Sequence, residues 1–225
     1  MQCWASKYCK KYPNKCSEFC HGRVLLEVYY SQSNIPIRYQ FEPDTLKVDP
    51  VDIETMKEVK NIMTGNISEW VEQGNNLLLW GENKGNGKTT IACMIAGTYI
   101  REQVKEPRDL APVAYFIKTA KFLEDIRKQY DNPTEDFPYK LKLIETVPLL
   151  IIDDIGAEKA SDWVRERLLT IIDERYSNNR STIYTSNCSM RILNENLHER
   201  IVDRIRDSKI LHFQGVSKRG VNFNG

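Results

Sequence analysis

The residues most capable of chemistry form a glycine-rich run from Gly81 to Thr90, which reads GENKGNGKTT. Glycines let backbone N–H groups approach a phosphate closely, and the first turn of a following helix adds positive potential. Lys88 can then reach the β- and γ-phosphates of a nucleotide, and the Thr89 hydroxyl can bind Mg²⁺. The run therefore predicts a Walker A loop (P-loop) for ATP, with six contact residues: Gly85, Asn86, Gly87, Lys88, Thr89 and Thr90.

The spacing of this loop departs from the usual pattern G-x-x-x-x-G-K-[ST]. The residue five positions before Gly87 is Glu82, and Gly81 lies one position further back. Either the loop is one residue longer than usual, or Glu82 occupies the position of the first glycine. The core of the motif from Gly85 to Thr90 is intact, and the prediction of a nucleotide site rests on it.

A second candidate group ends the run LLIIDD at residues 149–154. Four apolar residues indicate a buried strand, which delivers two carboxylates to its carboxyl end, where open α/β sheets bind ligands. Asp153 is expected to orient Mg²⁺, and Asp154 is the candidate general base for an attacking water. The pair predicts a Walker B strand, and together with the P-loop it predicts ATP hydrolysis.

Two further polar features lie downstream. The next predicted strand ends in TSN at residues 185–187, where Asn187 can hold a water or the γ-phosphate; alternatively its amide only closes a turn, since turns favour asparagine. On the predicted helix 197–206, Arg200 and Arg204 share one face. Such a face is usually just solvated, but an arginine on it can also complete a neighbouring subunit's nucleotide site, as an arginine finger in trans.

Alternating strand and helix patterns predict how these residues are positioned. Uninterrupted apolar runs imply strands buried on both faces, and therefore an α/β fold: a three-layer core with a parallel sheet between helices. Upstream, a helical face is weakened at Gly65, which allows two short helices. The predicted strands are 77–80, 113–117, 147–152, 182–184 and 210–213, and the predicted helices are 51–70, 89–103, 120–130, 162–176 and 197–206.

The composition is that of an ordinary soluble globular chain, with 225 residues, a formal net charge of +1, 41% hydrophobic residues and 28% charged residues. The near-zero charge argues against a protein that coats nucleic acid through bulk electrostatics, but it is compatible with a local DNA-binding strip. No apolar run is long enough to span a membrane, and the N-terminus has no signal core. A cytosolic location with reduced thiols is therefore expected.

Four of the six cysteines crowd into the first twenty residues, in the pattern C-x₅-C-x₆-C-x₃-C. In a reducing compartment this density favours a structural Zn²⁺ over disulfides, and metal binding would supply folding free energy to a segment too short to bury a core. His21 can replace Cys20 as a ligand, and incidental cysteines are the alternative. The predicted zinc ligands are Cys3, Cys9, Cys16 and Cys20.

The order of these features resembles the DnaC/DnaI helicase loaders of the AAA+ ATPases, especially their phage-type members. The resemblance covers roughly residues 35–225 and rests on the P-loop, the segments IIDDIGAEKASDW, TSN and HERIVDRI, and IPIRY at 35–39. It implies an AAA+ (ASCE) core in which Asn187 takes the sensor 1 position and Arg204 the arginine-finger position. The transposition-helper ATPase IstB has similar motifs, so the motifs alone do not separate the two.

The resemblance also implies a division of the chain and a set of partners. Residues 1–40 are expected to form a cysteine-rich module and linker that binds a replicative DNA helicase of the DnaB type, and residues 41–225 the ATPase core. Self-association through Arg204 and action on single-stranded DNA are expected. Candidate DNA contacts are Lys118, Lys121, Arg127 and Lys128, although surface solvation is the commoner role for such residues.

Two other functions stay open at this stage. One is a transposition helper that binds duplex DNA and a transposase. The other is a nucleotide-dependent adaptor that binds ATP but hardly turns it over. The cysteine-rich start of the chain favours the loader over the transposition helper, and the set Asp153, Asp154, Asn187 and Arg204 favours turnover over the adaptor.

Overall fold

The computed structural model describes residues 20–40, 47–105, 109–157 and 162–217, with one parallel sheet at the centre. The strand order is β2-β3-β4-β1-β5, and every neighbouring pair runs parallel. This confirms the predicted α/β class with a parallel sheet. The strands in the described residues are β1 (Leu77–Trp80), β2 (Ala114–Lys118), β3 (Leu149–Asp153), β4 (Ser181–Ser186) and β5 (Lys209–His212).

The helices cover both faces of this sheet. Leu77 and Leu79 of β1 pack in one hydrophobic cluster with the first four helices, whereas Leu78 packs in a second cluster with the last five. This alternation shows that β1 is buried on both sides, as an apolar run predicts. The helices in the described residues are α1 (His21–Gln32), α2 (Ile53–Thr64), α3 (Ile67–Glu72), α4 (Lys88–Gln103), α5 (Thr119–Asp131), α6 (Asp136–Thr146), α7 (Asp162–Ser177), α8 (Met190–Asn196) and α9 (Glu199–Arg206).

Helix α1 packs on the central part of the fold, although the sequence assigned it to a separate module. Tyr29 and Tyr30 are buried in the same cluster as α4 and β1. Beyond the helix, Asn34 Nδ2 donates to the Phe116 carbonyl over 2.7 Å, and Phe116 N donates to the Ser33 carbonyl over 2.8 Å. Residues 21–35 therefore belong by packing to the central part of the fold.

The sequence also missed two short helices and anticipated a break in another. Helix α6 contains Pro138 in its first turn, where proline is tolerated. In the sequence, however, a proline indicates a loop, so the helix was not predicted. Helix α8 has only seven residues, with Ser189 as its N-cap. The predicted interruption near Gly65 is confirmed, because Asn66 caps α3 by accepting a hydrogen bond from Glu69 N over 3.2 Å. None of the helices in the described residues is long and apolar enough to cross a membrane.

Candidate nucleotide site

The strand order brings three predicted groups to one edge of the sheet. Strand β4 lies between β1 and β3, so the end of β4 separates the glycine-rich loop from the acidic pair. Because all three strands are parallel, their carboxyl ends meet at the same edge. The loop after β1, Asp153 and Asp154 after β3, and Asn187 after β4 therefore form one candidate site.

Glycines shape the loop at this edge. Gly85 and Gly87 have φ angles of 80° and 103°, which side-chain-bearing residues rarely adopt. Gly87 directly precedes α4, so the first turn of that helix faces the inside of the loop. A Cβ atom on Gly81 would lie 2.0 Å from the carbonyl oxygen of Phe213, whereas Glu82 is exposed. Gly81 is therefore the first glycine of the loop, which is one residue longer than usual.

Lys88 lies inside the curve of this loop. Its Nζ donates to the carbonyls of Gly81 (2.7 Å) and Asn83 (3.0 Å) and to Asn86 Oδ1 (2.9 Å), and the residue is 5% exposed. Burial lowers the pKa of Lys88 to about 8, although the charges of Asp154 and Asp153 oppose that shift. The ammonium group is thus held inside the loop, and its charge is sensitive to mildly alkaline pH.

Two hydroxyl groups converge on Asp153. Thr89 Oγ1 and Thr185 Oγ1 donate to the same oxygen, Asp153 Oδ1, over 2.7 and 2.8 Å. Burial raises the pKa of Asp153, and these two hydrogen bonds oppose the rise. A carboxylate beside a hydroxyl oxygen is a donor set that suits Mg²⁺, which prefers oxygen ligands and usually keeps several waters. Thr89 and Asp153 therefore fit the metal role predicted for them.

Asp154 is held in a strained backbone conformation. Its φ angle is 61°, an uncommon value for a non-glycine residue, and such strain concentrates at functional sites. Asn187 Nδ2 donates to Asp154 Oδ1 over 2.8 Å, and Asp154 N donates to Thr185 Oγ1 over 2.9 Å. Thr185 thus supports both acids, a role that the sequence pattern did not reveal, since its only signal was the position two residues before Asn187.

Arg204 stands apart from this group, against helix α7. Its Nε lies 3.4 Å from Asp173 Oδ1, and its guanidinium carbon lies 4.1 Å from the centre of the Tyr176 ring. Arg200 binds the other oxygen of Asp173 over 2.5 Å. The Arg204 side chain remains 31% exposed. Within the described residues, its ion-pair and ring partners are thus on α7 and not in the loop of its own chain.

Ion pairs with acidic side chains neutralise part of the positive charge of the candidate DNA-binding residues. Lys121 binds Asp125 over 2.8 Å, and Lys128 binds Glu124 over 2.5 Å, both along helix α5. Lys118 and Arg127 are exposed. Ion pairs of this exposed kind are weak and compete poorly with a phosphate, but they reduce the positive potential of the helix.

The predicted zinc ligands fall largely outside the described residues. Cys3, Cys9 and Cys16 lie there, whereas Cys20 is described as a free, partly exposed thiol at the start of α1. The part of the chain that the structure describes contains no group of three or more potential metal ligands. The zinc site therefore stays a prediction.

The chain is similar in sequence to known ATP-binding proteins and helicase loaders. The family model of the IstB-like ATP-binding proteins matches residues 46–222. The replicative helicase loader DnaI of Bacillus subtilis (strain 168) is 28% identical over 118 residues, which are 52% of this chain and 34% of that protein. The loader DnaC of Escherichia coli (strain K12) is 25% identical over 142 residues, or 63% of this chain and 51% of that protein.

The fold matches as well as the sequence. A crystal structure of the DnaC helicase loader superimposes with a TM-score of 0.62 and 26% identity, covering 80% of this chain and 100% of that one. In sequence, the chain spans about a third to a half of the length of these two curated relatives.

Proposed function

The chain belongs to the family of IstB-like ATP-binding proteins, and we propose that it is an ATPase that loads a replicative helicase onto single-stranded DNA in the cytoplasm. The observation that carries the ATPase part is the convergence of Lys88, Asp153 and Asp154 at one sheet edge. The similarity to two helicase loaders supports the partner.

The site residues divide the work of hydrolysis between them. Lys88 would bind the β- and γ-phosphates, and Thr89 with Asp153 would hold Mg²⁺, which neutralises phosphate charge when bound. Asp154 would accept the proton of the attacking water. Asn187, which already binds Asp154 Oδ1, would orient that carboxylate against the water or the γ-phosphate.

Completion of the site by a second copy of the chain is the next element of the proposal. Arg204 is partly exposed and stacks on Tyr176, with Asp173 beside it. An arginine on this outer helix surface would reach the γ-phosphate in a neighbouring subunit and contribute about 10³–10⁵ in rate, as arginine fingers do. ATP turnover would then depend on self-association.

The cysteine-rich start of the chain is the proposed handle for the helicase, folded around one Zn²⁺. Because residues 21–35 pack on the core, we place the boundary of this handle near Cys20 and not near residue 40. Removing α1 as well would expose Leu26, Tyr29 and Tyr30, which are at most 5% exposed, and would damage the core itself.

This boundary gives a sharp experiment. The full chain and a chain covering residues 21–225 are compared for binding to the purified replicative helicase of the source organism, with a fluorescent ATP analogue as the control for an intact core. We expect the shortened chain to bind nucleotide normally and to lose the helicase. Full helicase affinity in the shortened chain would contradict the handle, and affinity for a transposase with none for a helicase would move the protein to the transposition-helper function.

A further inference from the structure

The segment that follows β5, residues 213–216, lies across the P-loop, and we refer to it as the strap. Asn83 Nδ2 donates to the carbonyls of Gln214 (2.9 Å) and Gly215 (3.2 Å), and Asn86 Nδ2 donates to the carbonyl of Phe213 (3.2 Å). Gly81 packs so closely on Phe213 that no side chain fits there. The lengthened loop is thus bonded to the strap at two side chains and pressed against it at a third position.

A buried carboxylate holds the strap from the other side. Asp52, which is 2% exposed, accepts hydrogen bonds from Gln214 N (2.7 Å, to Oδ1) and from Gly215 N (3.1 Å, to Oδ2). Asp49 accepts a weaker bond from Val216 N over 3.3 Å. A Cβ atom on Gly215 would lie 2.6 Å from Asp52 Oδ2, so the carboxylate sits directly against the strap. Hydrogen bonds from backbone N–H groups to an ionised carboxylate are stronger than neutral ones.

These contacts form a continuous path from Asp52 to the phosphate-binding lysine. Asp52 binds the N–H groups of residues 214 and 215, the carbonyls of the same residues bind Asn83, and the Asn83 carbonyl accepts from Lys88 Nζ over 3.0 Å. Asp52 is therefore linked to the loop through the strap.

We propose that Asp52 is a positioning residue for nucleotide binding, which fixes the lengthened P-loop around Lys88 by clamping the strap. The inference rests on the proposed ATP site and adds a residue from outside the predicted motifs. This proposal also explains the extra residue of the loop. It allows the Asn83 side chain to reach the strap while the Asn83 carbonyl still accepts from Lys88 Nζ.

A merely structural role for Asp52 makes a different prediction, which a double-mutant cycle separates. Asp52→Asn keeps the size of the side chain but replaces one acceptor by an N–H₂ group that faces a backbone donor. Asn83→Ala removes the bonds to the strap and leaves the carbonyl that binds Lys88. Residues on one path show non-additive effects, whereas independent sites add.

The experiment measures the affinity of the full chain for a fluorescent ATP analogue. We expect Asp52→Asn to weaken binding about tenfold, as the loss of one charge-assisted hydrogen bond does. We expect Asn83→Ala to weaken it about fivefold, and the double variant to be no weaker than about tenfold, because both changes cut the same path. The exposed Asp136→Asn, on helix α6, is the matched control and should bind as the wild type does.

Hydrogen exchange supplies a second readout on the same proteins. The amides of Gln214 and Gly215 should exchange faster in Asp52→Asn, and bound nucleotide should protect them in the wild type. Additive losses near fiftyfold in the double variant, or a lowered melting temperature with unchanged nucleotide affinity in both single variants, would overturn the proposal. If Lys88→Ala also bound nucleotide like the wild type, the ATP site itself would fail; if Lys88→Ala loses binding, additivity refutes only the role of Asp52.

Discussion

Asn187 donates a hydrogen bond to Asp154 over 2.8 Å, joining the ends of two neighbouring strands. One residue follows β4 and the other follows β3, so the bond exists only because these strands are adjacent and parallel. The amide thereby fixes one oxygen of the Asp154 carboxylate, so the position of this proposed base depends on Asn187. This pair gives the first prediction.

We expect Asp154→Asn to bind ATP like the wild type and to lose hydrolysis by about 10²–10⁴-fold, the usual contribution of a positioned general base. Asn187→Ala should also retain binding but lose less turnover, because the carboxylate remains and only its orientation is freed. Single-turnover hydrolysis and analogue binding are measured side by side, with the exposed Asn194→Ala as the control. Hydrolysis at the wild-type rate in Asp154→Asn would exclude it as the base.

The buried Lys88 predicts an unusual dependence of ATP affinity on pH. Its pKa is lowered to about 8, so the ammonium form that binds phosphate falls from most of the population at pH 7 to a small fraction at pH 9. Affinity for the Mg²⁺ complex of ATP should therefore drop about tenfold over this range, since only the protonated fraction is competent. Calorimetry at pH 9 in two buffers of different ionisation enthalpy should show uptake of about one proton per nucleotide bound.

The stability of the nucleotide-free protein should move in the opposite direction. Between the folded pKa near 8 and the ordinary value of 10.5, the unfolded chain holds more protons on this residue than the folded chain does. The free energy of unfolding contributed by Lys88 therefore rises with pH across that window. The free energy of unfolding is compared between the wild type and Lys88→Ala, which lacks the titrating group, across this pH window. An affinity for the Mg²⁺ complex of ATP that stays constant from pH 7 to pH 9 would contradict the lowered pKa of Lys88.

Arg204 is predicted to act across a subunit boundary. Arg204→Ala should bind ATP normally and hydrolyse it about 10³-fold more slowly, in line with the loss of an arginine finger. Mixing it with Lys88→Ala should restore part of the activity, because one variant lends an intact nucleotide site and the other lends an arginine. Arg206→Ala, on the same helix and paired with Asp203, is the matched control and should remain active.

Restoration by mixing is the decisive readout, because a destabilised α9 could not produce it. If the mixture stays inactive while light scattering shows that the two variants co-assemble, Arg204 does not act in trans. A chain that remains monomeric with ATP and single-stranded DNA at every concentration would count equally against the idea.

The cysteine-rich segment is predicted to hold one Zn²⁺ per chain. Protein purified without chelator should contain zinc by metal analysis, and the double change Cys9→Ser with Cys16→Ser should remove it, because each thiolate supplies one of four ligands. Cys93→Ala is the control: that thiol belongs to α4 and is buried, and burial raises its pKa, which disfavours the thiolate that binds metals. Wild-type protein that binds helicase while free of metal would refute the zinc site.

Local spacing predicted the parts of the site that are close in sequence. The glycines, Lys88 and Thr89 lie within one loop, and the two acids end one apolar strand, so their chemistry could be inferred from the motif alone. The sheet and its main helices followed from apolar runs of strand length and from helical periodicity. Asn187 also follows an apolar strand, but its contact with Asp154 depends on the strand order, which local spacing did not predict.

The rest of the site depends on contacts between distant parts of the chain. Asp52 meets Gln214 across 162 residues, and no periodic pattern signals such a pair. Helix α1 was hidden because its apolar residues, among them Leu26 and Tyr30, follow a segment whose cysteines and lysines dominate the composition. The position of Gly81 as the first glycine of the loop likewise became clear only from its close contact with Phe213, which directly follows β5.

Loading of a helicase onto a closed circle of single-stranded DNA tests the central claim most directly. A circle without ends excludes threading, so stable helicase binding needs a loader. With the purified replicative helicase, ATP and the full chain, we predict unwinding of a labelled oligonucleotide annealed to the circle, at a rate well above that of the helicase alone. Lys88→Ala should abolish this stimulation. Unwinding that is the same with and without the chain would contradict the proposed function.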